Sequence, residues 1–155
     1  MKRLIILLMI SFLPMGLHAQ SSELVGIFAD YAGREEYQTI IYGKTMRSMM
    51  GEGASSDVQV LLDGIKTIRI ISYKGTAEEL CDKVLAKIKT DYRLISKMTG
   101  EGRVSNFYLY EPEKARKDMS FVMTVTGPQE SVVLEIIGKF DVKDITRLSV
   151  IGQNR

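Results

Sequence analysis

The sequence holds one cysteine, one histidine and almost no excess charge, and each shortage removes a class of chemistry. With Cys81 alone, no internal disulfide can form. The single histidine, His18, falls in an N-terminal stretch expected to be removed. A mature chain without imidazole has no Ser-His-Asp or Cys-His arrangement, no His-ligated zinc and no histidine acid or base. Long apolar runs are missing too. The longest, Leu4 to Leu13, spans ten residues, well short of the ~20 that cross a bilayer as a helix. Charge of one sign is also absent. The 21 basic and 19 acidic residues include Lys2 and Arg3, and without those two the balance is 19 against 19. A neutral mature chain gives no electrostatic case for nucleic acid or an anionic membrane.

What is present begins with an address. Lys2-Arg3, the apolar run Leu4 to Leu13, the break at Pro14-Met15-Gly16 and then Leu17-His18-Ala19 read as a secretory signal peptide over residues 1–19, cut after Ala19. No cysteine follows the run, so a lipid-modified N-terminus is not expected. The expected product is exported, periplasmic or secreted, and does not span the membrane. Residues 20–155 fit one domain, long enough to bury roughly two-thirds of its unfolded surface.

The domain is organised around Ile65 to Lys89. Ile65, Thr67, Ile68, Ile70 and Ile71 place β-branched residues on both parities, which predicts a strand covered on both faces for part of its length. Tyr73-Lys74-Gly75 ends it. Thr76 and Glu79 have the spacing of a capping box for the helix that follows. Leu80, Val84 and Ile88 repeat at i, i+4, i+8, with Ala77, Cys81 and Leu85 widening the stripe. Cys81 is therefore expected to be a buried structural thiol.

Around this centre, Ser21 and Ser22 offer N-caps for a first helix carrying Leu24, Phe28 and Tyr31, which Gly33 stops. Tyr37 to Tyr42 is a short strand. Met46, Met49 and Met50 share a helical face and are expected to pack on the sheet rather than bind copper or a peptide. Gly51-Glu52-Gly53 follows a helix and lacks the third glycine of a dinucleotide fingerprint. Val58, Leu61 and Leu62 point inward from a turn of helix. Further strands are predicted at Tyr92–Thr99, Arg103–Tyr110, Met119–Thr126 and Ser131–Phe140, the last with Val132, Leu134 and Ile136 inward and Glu135 and Lys139 outward. Asp141 caps a closing helix over Val142–Leu148. Gly138, Asp141, Asp144 and Ile145 have a spacing that invites a metal site, but a strand end followed by an N-cap needs the same residues. The sum is an α+β domain: a single, mostly antiparallel sheet with helices packed on one face.

The succession LVGIFADYAG, YQTIIYGKTMRSMM, LLDGIKTIRIISY and GKFDVKDITRL resembles DUF4252, a family of exported bacterial domains of unknown function, over roughly Ser22 to Leu148. The resemblance implies a small exported α+β domain and assigns no catalytic residue.

These readings lead to a non-catalytic envelope protein that binds a protein partner or a small ligand, with no cofactor, no metal and no nucleic acid. Its oligomeric state is left open. The candidate binding face is the semi-polar side of two strands: Asn106, Tyr108, Tyr110 and Thr124. The alternative is a carboxylate-dependent hydrolase of cell-envelope polysaccharide drawing on Glu35, Glu36, Glu111, Glu113 and Asp118, which needs two carboxyl groups ~5–9.5 Å apart across a cleft.

Overall fold

A computed structural model of the chain describes residues 23–44, 49, 52–53, 55–113 and 118–145. The expected leader, Ser21, Ser22, Met46, Met50 and Leu148 lie outside the described residues. The elements are α1 (Val25–Ala32), β1 (Tyr37–Tyr42), α2 (Ser56–Gly64), β2 (Ile65–Tyr73), α3 (Glu78–Ile88), β3 (Arg93–Gly100), β4 (Arg103–Tyr110), β5 (Met119–Thr126) and β6 (Ser131–Gly138). No described helix is long and apolar enough to cross a membrane.

The strands form one sheet in the order β1-β2-β6-β5-β4-β3, and every neighbouring pair is antiparallel. Strands β3 and β4, and β5 and β6, are joined by short turns, and each of β3 to β6 lies beside the next. The β3–β4 turn is Glu101-Gly102, both with positive φ (51° and 74°), the left-handed geometry that suits a two-residue hairpin loop. β6 then returns to pair with β2, so that β6 and β5 occupy the centre of the sheet. The α+β class and the antiparallel sheet expected from the sequence are both found.

Because side chains alternate across a strand, the sheet has two distinct faces with a separate core on each. On the first, Leu24 just before α1, Ile27, Phe28 and Tyr31 of α1, and Leu80, Cys81, Val84 and Ile88 of α3 pack over Ile71, Val122 and Val133. On the second, Leu61 and Leu62 of α2 and Ile145 pack over Ile65, Ile68, Leu109, Phe121 and Ile136. Two helices thus share one face and α2 partly covers the other, so the helices are not confined to one face as the sequence suggested. The reason lies in β2. It is apolar on both parities, as the sequence predicted, so both of its sides require cover.

Three local expectations are corrected. Thr76 and Glu79 form no capping box: α3 starts at Glu78 with no cap from its own side chains. Instead Ser131 Oγ, from β6, accepts the Ala77 N–H at 2.9 Å and donates to Gly75 O at 2.8 Å. Thr76 donates to Gly127 O, and Glu79 pairs with Lys83. Met49, expected in the core, is exposed. Glu135, expected outward, is fully buried, as is Val133 beside it, because β6 lies inside the sheet and the two helices close the face these residues share.

Gly138 belongs to the packing. Its φ is +156°, and an added Cβ would overlap the Gly64 carbonyl and the backbone of Ile65, where β6 leaves the sheet against the start of β2. Lys139 N–H donates to Gly64 O at 2.7 Å, and Asp141 Oδ1 accepts the Lys143 N–H at 2.9 Å. The Gly138–Asp141 spacing is accounted for by a close crossing and a helix cap.

Candidate functional site

The first face carries an unusual number of polar groups for a covered surface. Arg69 of β2 stands directly opposite Glu135 of β6, and Arg69 Nη1 lies 2.8 Å from Glu135 Oε2. The Glu135 side chain has no solvent exposure and that of Arg69 has 14%. Ser120 of β5 donates to Glu135 Oε1 at 3.4 Å, so both carboxylate oxygens are engaged. The guanidinium carbon of Arg69 is 5.9 Å from the centre of the Phe28 ring, over which it lies. Beyond the end of α3, Tyr92 hydrogen-bonds with Ser120 and packs at 5.6 Å from Tyr110. Burial pushes the Tyr92 phenol up to about 12, the hydrogen bond with Ser120 opposing. This is a paired, desolvated cluster that fixes strand register. Glu135 offers no free oxygen to a substrate.

The sequence-derived binding residues sit in this same layer. Asn106 and Thr124 are cross-strand neighbours, Tyr108 faces Val122 and Tyr110 faces Ser120, so the four do share one face. That face lies under the helices. Thr124 is 1% exposed, Tyr108 packs against the first core, and burial pushes its phenol up. Across the same layer Thr126 donates to Cys81 Sγ at 3.1 Å, and burial pushes that thiol up. Cys81 is buried, as expected.

The acids of the hydrolase reading separate into two groups. Glu35 and Glu36 sit in the turn entering β1, at one sheet edge, whereas Glu111, Glu113 and Asp118 belong to the β4–β5 connection. Strands β2, β6 and β5 stand between β1 and β4, and register places Tyr37 level with the start of β4 rather than its end. Asp118 pairs with Lys66 at 2.8 Å and Glu111 with Arg93 at 3.2 Å.

The second face holds the feature that sequence reading missed. Register lines up Tyr42, Ile68, Ile136, Phe121 and Leu109 in one row across five strands, and α2 lies over it. The next row is Ile40, Ile70, Leu134, Met123 and Phe107. All five are apolar, and all five are only half-buried. Beyond it come Gln38, Ser72, Val132, Val125 and Ser105. Among the described residues, cover therefore thins along the strands away from α2, leaving an apolar rib about 19 Å long at the usual strand spacing of ~4.8 Å. The signal was present in the sequence as alternate apolar residues in β2, β5 and β6. Only the strand order could join them into one surface.

No curated protein and no solved structure matches this chain. A family model described as a domain of unknown function (DUF4252) matches residues 31–148, from the end of α1 past β6.

Proposed function

The chain belongs to the DUF4252 family, and from that premise we propose that it is an exported, non-catalytic protein of the bacterial envelope that binds a protein partner through the second face of its sheet. The observation that carries this reading is the half-buried rib Ile40–Ile70–Leu134–Met123–Phe107. A contiguous apolar surface at the centre of a sheet, rather than scattered exposed side chains, is the mark of an interaction site. The residues themselves favour a protein over a polar metabolite, since the rib presents no hydrogen-bonding side chain. The non-catalytic part rests on the loss of imidazole with the leader and on the neutralisation of Glu135 by Arg69. Export rests on the Lys2–Ala19 leader pattern.

The test is site-specific photo-crosslinking in the native envelope, with the probe at Met123 or Phe107 and, as control, at Lys87 on the exposed side of α3. One defined protein adduct from the rib positions, absent from Lys87 and abolished in a folded Met123→Lys chain, is the expected result. Equal labelling at all three positions, or displacement of the probe by small apolar metabolites with no protein adduct, would overturn it. Amino-terminal sequencing of the purified protein should begin near Gln20; retention of Met1 would refute export.

A further inference from the structure

The two edges of the sheet are built differently. β3 has the usual protection: Arg93 and Lys97 put charge on the edge, and its register with β4 is broken between Leu94 and Ser96. Charges and bulges of this kind keep an edge from accepting another strand. β1 has none of it. Tyr37-Gln38-Thr39-Ile40-Ile41-Tyr42 contains no charge, proline or glycine, and it pairs with β2 through six residues without a break. Ile41 is 57% exposed on this edge.

We propose that the protein associates with a second copy of itself through β1, the two strands pairing antiparallel about a two-fold axis at Thr39. The choice of a second copy follows from the residues. In that register Thr39 stands opposite Thr39 of the second copy, a small β-branched pair that brings the two strands together without steric or charge conflict. Ile41 stands opposite Tyr37 of the other copy, an aromatic and β-branched pair of the favoured kind. Gln38 stands opposite Ile40. No like charges meet, and every pair is repeated by the symmetry, as a closed isologous interface requires. Directly opposed residues project to the same side, so the second faces of the two sheets join into one surface. This inference is independent of the partner-binding reading, because the variants that test it leave the rib intact.

The test is sedimentation velocity on the purified protein, with cysteine crosslinking. The expected result is a concentration-dependent dimer that Ile41→Lys weakens by about tenfold or more and Met98→Lys, on β3, does not. Thr39→Cys in a Cys81→Ser background should give a disulfide-linked dimer under mild oxidation, whereas Met98→Cys in the same background should not. A monomer at all concentrations with Thr39→Cys no faster to crosslink than Met98→Cys would overturn the proposal. So would a dimer lost with Met98→Lys and retained with Ile41→Lys. Circular dichroism of Ile41→Lys separates lost association from lost fold.

Discussion

The two faces of this sheet are made by the same strands yet solve opposite problems. The first is polar for a covered surface, with Arg69, Glu135, Ser120, Thr124 and Ser131 set among apolar neighbours, and two helices close it. The second is apolar for a surface so incompletely covered, with one short helix over the row from Tyr42 to Leu109 and the neighbouring row half open. Polarity and burial are thus decoupled in this molecule. Polar groups go inside where a partner across the strand completes them, and apolar groups stay half-buried where the described helix covers them only in part. Covered polar groups act as register pins, since a slip of one residue would strand Glu135 without Arg69.

The sharpest break in that comparison is removal of one member of the buried pair. Arg69→Leu leaves the Glu135 carboxylate buried and unpaired, which should cost about 3–5 kcal/mol. Replacing both residues by leucine should recover most of the loss in a double-mutant cycle. Chemical denaturation of the three variants measures this, and additive losses would show that the two groups are not coupled. A second contrast uses neighbours on opposite faces of β2. Ile71→Ala, on the closed face, should cost about 2–4 kcal/mol, and Ile70→Ala, on the half-open face, roughly half as much, because part of the Ile70 surface never left water. Equal costs would mean that the second face is closed in solution.

The third effect is smaller and depends on pH. The Tyr92 phenol titrates near 12 in the folded chain against 10 when unfolded. The folded state therefore holds its proton more tightly, and the associated stability is complete below pH 10 and lost as pH rises from 10 towards 12. After allowance for the solvent-exposed part of the ring, the loss should be about 1–2 kcal/mol. Tyr92→Phe should flatten that limb of the stability curve, and an unchanged slope would place the titration elsewhere. The least effect is kinetic. Cys81, buried and with its thiol pushed up by that burial, should react slowly with a thiol reagent in the native protein and at once in denaturant. Fast native labelling would show that α3 opens readily.

Much of the fold was legible because local signals agreed. The β-branched run in β2, the Leu80–Val84–Ile88 stripe of α3 and the alternation in β4 and β5 each specify their element within a residue or two. Glu135 was misread because a lone carboxylate in a strand reads as a solvent position, and the arginine that makes its burial tolerable is 66 residues away. The cap of α3 was misread for a similar reason. Thr76 and Glu79 have the right spacing, but Ser131, distant in sequence and adjacent in the sheet, reaches the Ala77 N–H. The candidate face Asn106–Tyr108–Tyr110–Thr124 was correctly grouped by period, since period alone decides which residues share a side. Which side the helices would cover is not a property of any one strand.

The sequence by itself determined the elements, the pairing of strands joined by short turns, the impossibility of an internal disulfide and the inertness expected of the one thiol. All of these depend on residues within a few positions of one another or on residues that are simply missing. Only the tertiary structure decided that Glu135 is inside, that Ser131 caps a helix and that Ile40, Ile70, Leu134, Met123 and Phe107 form one open rib. Those outcomes require β6 to return between β2 and β5, and the free energy of that return is spread over contacts between residues far apart in the chain.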